Sequence, residues 1–188
     1  MHYTIEKLSP KHTQTFIDYI GNLSFHHAPE WSGCYCRFYH TTCDQETWKN
    51  RSSETNRIEA IEEISANRMQ GYLVFDDAKC IGWLNANDAN RFVRLREDFK
   101  PYCEGKKVAA TMCFIIHPEY RSQGIARMVL DRVIDDYRAL GYDALIALPF
   151  DDPKAPQKRY RGTYNMYLEK GYTCLDTFET VKVLWLEL

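Results

Sequence analysis

Nowhere in this 188-residue chain do eighteen apolar residues run together, so the pattern gives no membrane-spanning helix. Neither sign of charge is in excess: 24 Lys and Arg against 26 Asp and Glu leave a formal net charge of −2, which advertises no polyanionic partner and no acidic tail. The short basic patch "RFVRLR", with Arg91, Arg94 and Arg96, reads as a solvated face. The opening stretch "MHYTIEKLSPKH" lacks the apolar centre of a secretory signal. Low-complexity tracts and repeats of fixed period are missing. So are the GxxxxGK[ST] and GxGxxG patterns of triphosphate and dinucleotide sites. The seven cysteines, an odd number, do not make a secreted disulfide framework. These absences predict a soluble cytoplasmic protein that engages no nucleic acid and no membrane.

What is present is 45% hydrophobic and 14% aromatic, enough for one compact domain over residues 1–188. "YTIEKLS" reads as a first strand, and "PKHTQTFIDYIG" as a helix closed by Gly21. The segment "NLSFHHAPEWSGCYCRFYHTTCDQETW" is irregular and rich in aromatics and cysteines, more a pocket wall than a linker. Ile58, Ile61, Ile64 and Met69 recur near helical spacing over residues 56–69. "GYLVFDDAKCIGWLNAND" reads as a hairpin turning at "DDAK". The second half predicts strand "VAATMCFIIHP", helix "SQGIARMVLDRVIDDYRALG" closed by Gly141, strand "YDALIALPF", helix "RGTYNMYLEKG" and two closing strands. A mixed α/β sheet follows, with a helix crossing from "MCFII" to "DALIAL". Ligands of such sheets sit where a strand's carboxyl end feeds a helix.

That place is "HPEYRSQGIA". A helix amino terminus offers unpaired N–H groups and partial positive charge, which suit an anionic phosphate. Gly124 allows close backbone approach, Ala126 keeps the next turn small, and Arg121 adds a formal charge. The structural reading is a tight turn and nothing more.

"FIIHPEYRSQGIARMVL" resembles the acetyl-CoA-binding motif of the GNAT superfamily of N-acetyltransferases, carried here by Arg121, Ser122, Gln123, Gly124, Ile125 and Ala126. "YNMYLEKGY" is similar to the family's later helix, with Tyr167, Gly171 and Tyr172 at its marked positions. Two departures stand in that second motif: Tyr160 where the family often has asparagine, and Thr163 where it often has alanine. The resemblance implies a GNAT-like single domain whose mixed, mostly antiparallel sheet is flanked by helices. Residues 1–70 would shape the acceptor site and residues 71–188 would bind acetyl-CoA. It further implies direct transfer of acetyl from acetyl-CoA to the amine of a small molecule or peptide. Phe114, Ile115 and Ile116 would run along the pantetheine arm, with an N–H there for the oxyanion. Tyr167 would act as general acid toward the leaving thiolate, against the plain reading of a core tyrosine. Trp31, Tyr35, Trp83 and Asn85 are candidate acceptor-site residues. Asp88 and Glu104 were open as bases but read better as surface charge or cap, so the base stays unassigned.

Cys34, Cys36, His40 and Cys43 offer four zinc-type ligands in C-x-C-x3-H-x2-C spacing. In an extended segment Cys34 and Cys36 would point apart, so no metal is expected, and packed or pocket-lining thiols are the simpler reading. Three other readings remain open: a different acyl-CoA, a CoA-binding sensor without turnover, and a zinc or redox module on the cysteine cluster. The closing strand "VKVLWLEL" could pair with a neighbour's edge to give a homodimer.

Overall fold

A computed structural model describes residues 3–25 and 28–188. Among the described residues seven strands form one sheet in the order β1-β2-β3-β4-β5-β7-β6, so the closing strand is paired on both sides and has no edge to offer a second copy. They are β1 (Tyr3–Lys7), β2 (Gly71–Asp76), β3 (Lys79–Asp88), β4 (Val108–Ile116), β5 (Ala144–Ala147), β6 (Thr173–Phe178) and β7 (Val181–Glu187). Every neighbouring pair is antiparallel except β4 with β5. Among the described residues six α-helices accompany them: α1 (Thr13–Asn22), α2 (Gln45–Asn50), α3 (Ser53–Ser65), α4 (Arg96–Cys103), α5 (Ile125–Ala139) and α6 (Tyr164–Glu169). Among the described residues no helix is long and apolar enough to cross a membrane.

Alternation along the central strands splits the core in two. Leu73 and Trp83 point to one face, where they meet Phe16 of α1, Ile64 of α3 and the aromatic segment. Val74 and Leu84 point to the other, against Val129, Leu130 and Val133 of α5 and Met166 and Tyr167 of α6. Tyr19 of α1 carries its hydroxyl into the sheet, 2.9 Å from both Ile81 O and Ile115 O, so it fastens α1 to the β3–β4 pair.

α5 stands where the crossover was expected, with six buried residues on one face, and its end is a glycine stop. Gly141 has φ +67, and Tyr142 N–H donates to Tyr137 O beyond it. Elsewhere local reading needs correction. Gly21 lies inside α1 and does not close it. An added Cβ there would come 3.0 Å from the Tyr35 hydroxyl, so the glycine makes room for a packed tyrosine. α3 starts earlier than expected because Ser52 caps it by accepting from Thr55 N–H. It stops at Ser65, so Met69 is buried from the connection to β2, and Ile58 is 46% exposed. α2 and α4 form where no clear apolar period marked them.

Two irregularities shape the middle of the sheet. From Leu84 to Ala86 β3 advances two residues while β4 advances three, from Phe114 back to Thr111, so β4 is bulged at residues 112–113. β5 pairs with β4 only from Val108↔Ala144 to Thr111↔Ala147. Past Thr111 the two strands part, and β4 has a free edge as far as Ile116.

Gly71 shows how tightly the sheet packs on its α1 face. A Cβ at this position would overlap Leu84 O and the Trp83 ring. Gly71→Ala is expected to lose about 3 kcal/mol of stability, read as a lowered urea midpoint at unchanged slope. A midpoint equal to that of the native protein would show that the strand can shift aside.

Candidate active site

A cavity of about 1080 Å3 opens at the parted strands. Its walls are the free edge of β4, the turn into α5, the segment around Tyr160, and the aromatic stretch between α1 and α3. The β4 edge supplies its character. His117 N–H donates to Ile81 O on the β3 side, and backbone groups alternate along a strand, so those of Phe114 and Ile116 face the open side. Arg121 Nε, 3.1 Å from Ile116 O, reaches back to that edge from the turn.

The turn leaves the start of α5 open. Ser122 has φ +62 and Gly124 φ +82, both left-handed, which curls the chain ahead of α5. Gly124 stands at the N-cap, no side chain caps the helix, and its first turn has no acidic residue. The first helical hydrogen bond from this end is Met128 N–H to Gly124 O, which leaves the preceding N–H groups without intrahelical acceptors. A Cβ on Gly124 would meet nothing within 4 Å, so the glycine is required by its φ and leaves space in front of the helix. Gln123 turns away from the cavity: its side chain accepts from Tyr3 Oη at 2.8 Å and donates to Glu119 O at 3.0 Å, bracing the turn from behind.

Phe114, Ile115, Ile116, Arg121, Ser122, Gly124, Ile125 and Ala126 line the cavity, as do Trp31 and Tyr35. Besides Gln123, three expected site residues lie elsewhere. Trp83 is fully buried behind the wall and donates its indole N–H to Cys36 Sγ at 3.2 Å. Asn85 is fully buried and bonded to His40. Tyr167 is fully buried too, its hydroxyl 2.8 Å from Thr111 Oγ1 and donating to Arg161 O at 3.0 Å. Burial holds this phenol well above its ordinary pKa, so it is protonated at neutral pH. Gly162, which does line the cavity, overlies the ring; an added Cβ there would stand 2.8 Å from Tyr167 Cε2.

The cysteine segment is compressed, because Gly33, Tyr35 and Cys36 all have left-handed φ. That conformation brings both Cys34 and Cys36 to the cavity, where an extended strand would separate them. The Cys36 thiol, hydrogen-bonded to Cys113 and buried, is held well above its usual pKa; burial pushes Cys34 up to about 12. Both are therefore thiols at neutral pH, poor nucleophiles and poor metal ligands as they stand. His40 Nδ1 donates to Arg91 O at 2.9 Å, and its Nε2 accepts from Asn85 Nδ2 at 3.0 Å. Cys43 contacts Thr41 and Arg94 instead of the other thiols. Among the described residues no three His, Cys, Asp or Glu side chains gather to hold a metal.

Several wall residues escaped the sequence reading: Phe25, Tyr39, Cys113, Arg159, Tyr160 and Gly162. The aromatic density around "CYCRFYH" signals Tyr39, and Tyr160 had stood out only as a departure from a motif. Arg159 and Cys113 gave no sign, since their roles depend on what folds opposite them. Tyr160 packs on Trp31 with ring centroids 4.6 Å apart, and its hydroxyl lies 2.7 Å from that of Tyr39. Arg161 Nη2 donates to the Tyr39 hydroxyl at 2.8 Å and Nη1 to Leu148 O at 3.2 Å, tying this wall to the end of β5.

A parted parallel pair, a free strand edge and an uncapped helix thus face one cavity. The family model described as the acetyltransferase (GNAT) family matches residues 27–163. The chain belongs to the GNAT family of acetyltransferases and is an acyltransferase. Among solved structures it is similar to the PaiA N-acetyltransferase of Thermoplasma acidophilum in complex with coenzyme A, at 17% identity and TM-score 0.58, covering all of both chains. It is similar to the polyamine N-acetyltransferase of Drosophila melanogaster, at 9% identity and TM-score 0.63, again over all of both chains. A GNAT-family acetyltransferase of Streptococcus pneumoniae matches at 14% identity and TM-score 0.58, over 100% of this chain and 99% of that one. Identities this low establish the fold alone. No curated protein matches the chain.

The histidine bonded between β3 and the aromatic wall generates a prediction. Burial, helped by the Arg37 charge, pushes His40 down to about 4, below its usual 6.5. The unfolded chain therefore binds a proton that the folded one refuses as pH falls from about 6.5 to about 4. Stability should drop over that window by up to about 1.4 kcal/mol per pH unit. Urea denaturation from pH 7 to pH 5 should show this fall in the native protein and a shallower one in His40→Gln. Equal slopes in the two proteins would place the acid sensitivity elsewhere.

Proposed function

We propose that this protein transfers acetyl directly from acetyl-CoA to the amine of an acceptor held in the same cavity. The observation that carries the reading is that the uncapped α5 terminus and the free edge of β4 open onto one space. The donor's pyrophosphate is an anion of the kind the turn at residues 121–126 suits, with Arg121 adding charge. Its pantetheine amides find strand groups facing the cavity at Phe114 and the N–H of Ile116, whose carbonyl is already held by Arg121, and one of those N–H groups serves the thioester oxygen as charge develops. The donor thus enters as a strand in the place β5 has left.

The chemistry balances without an enzyme-bound acyl group. A neutral amine attacks the thioester carbonyl, the tetrahedral intermediate gives a proton from nitrogen to water, and collapse breaks the C–S bond, the leaving sulfur taking up a proton to depart as CoA thiol. Ordered proximity of the two reactants supplies much of the acceleration. The neutral thiols of Cys34 and Cys36 favour this direct route over transfer through cysteine. Tyr167 is proposed as donor of the proton to the leaving sulfur. Its high pKa keeps the phenol protonated, and Gly162, which lines the cavity, lies against its ring. Its proton is committed to Arg161 O at rest, so donation requires the turn at residues 161–162 to give way as the pantetheine arm seats.

Calorimetry with acetyl-CoA tests the donor site. Native protein should bind at micromolar Kd, and Gly124→Glu, which sets a carboxylate before the helix, should not bind. Absence of binding by the native protein would overturn the reading. Tyr167→Phe should keep its acetyl-CoA Kd within about threefold while kcat falls about 100-fold. An unchanged kcat would make the tyrosine a packing residue.

A further inference from the structure

The cavity's charge is of one sign. Its lining includes Lys49, Arg51, Arg121, Arg127 and Arg159, and among the described residues no Asp, Glu or His. Two of the five are already neutralised by carboxylates standing behind the wall: Arg51 by Glu59 at 2.5 Å, and Arg127 by Glu169 at 2.6 Å. Arg121 belongs to the phosphate turn. Lys49 and Arg159 remain, both exposed and with no ion pair among the described residues. They flank aromatic surface. Lys49 follows Trp48, which stacks edge-on against Phe38 at 5.1 Å; Arg159 precedes Tyr160, which packs on Trp31.

Resting on the acetyltransferase reading above, we propose that the acceptor is a small amine carrying a carboxylate and an aromatic or apolar side group, an amino-acid-like amine. Lys49 and Arg159 hold its carboxylate through charge-assisted hydrogen bonds. The rings of Trp31, Phe38, Trp48 and Tyr160 cover its side group. A polyamine or aminoglycoside, by contrast, brings several positive charges to walls that offer them no carboxylate. The same field solves the problem of the missing base. An amine entering apolar walls with cations nearby has its pKa lowered, so it sheds its proton to solvent on binding and arrives as the nucleophile. The carboxylate pays for the entry of a molecule whose ammonium group the site repels.

Matched pairs that differ only in the carboxylate test this: tryptophan against tryptamine, phenylalanine against phenethylamine, with spermidine beside them. Release of CoA thiol is the readout, and acetyl-CoA binding is measured separately by calorimetry. At least one carboxylate-bearing member is expected to exceed its partner at least tenfold in kcat/KM, with spermidine slower than both. Lys49→Ala and Arg159→Ala should raise KM for that substrate at least fivefold and narrow the gap within the pair, with the Kd for acetyl-CoA unchanged. Preference for tryptamine, phenethylamine or spermidine, or no turnover of any carboxylate-bearing member, would overturn the proposal. A weakened acetyl-CoA Kd in these variants would overturn it as well, because the cations would then serve the donor's phosphates. If native protein failed to bind acetyl-CoA at all, the acetyltransferase reading would fall, and calorimetry separates that result from a wrong acceptor class.

Discussion

The parting of β4 from β5 after Thr111 is the constraint on which the rest of the molecule depends. Four residues of parallel pairing hold the two strands together, and the bulge in β4 then turns its remaining edge aside. A free strand edge in the middle of a sheet leaves hydrogen-bonding groups unsatisfied, which a folded chain normally avoids. The gap persists because both sides are fixed from elsewhere. The Tyr19 hydroxyl pins the β3–β4 side, and Arg161 fastens the opposite wall to Leu148 O and Tyr39. The ligand therefore meets a preformed slot, and little of its binding energy is spent on opening the sheet.

The fold was readable where local chemistry repeats a periodic signal. α5 carries an apolar face ended by Gly141, and the β2–β3 hairpin is marked by its turn residues, so both follow from a few residues' reach. α2 and α4 are short helices docked by neighbours, and tertiary contacts override their weak periodicity. The donor half of the site was legible for a related reason. A phosphate turn is made of backbone, and backbone demands leave sequence marks such as Gly124. The acceptor half is made of side chains brought from distant positions. Arg159 meets the aromatic wall only because the segment before α6 folds over β4, and no spacing encodes that. Trp83 and Asn85 looked like wall residues on a strand of the right register, yet Trp83 is bonded to the cysteine turn and Asn85 to His40. Their place was decided by left-handed backbone at Tyr35 and Cys36, a conformation that sequence rarely signals outside glycine and asparagine.

That turn also gives the thiols their character. Three cysteines at a cavity invite a covalent or metal-centred reading, and the physical surroundings argue otherwise. Cys36 receives the Trp83 indole N–H and sits by Cys113, and Cys34 is enclosed. Thiols held neutral in a dry wall behave as small polarizable packing groups. The resulting surface is apolar and cationic at once, a pairing suited to substrates with one flat face and one negative end.

The two halves of the cavity differ in what a mutation can reach. In the proposed reading, donor recognition is written largely in N–H and C=O groups of β4 and α5, which a side-chain replacement such as Gly124→Glu can block but does not remove. Acceptor recognition as proposed rests on Trp31, Phe38, Trp48, Lys49, Arg159 and Tyr160, carried on short helices and turns outside the sheet. Changes there alter shape and charge without touching strand register or the α5 face. The architecture is accordingly evolvable in one direction: the acyl donor is inherited with the backbone, while the amine can be exchanged a few residues at a time.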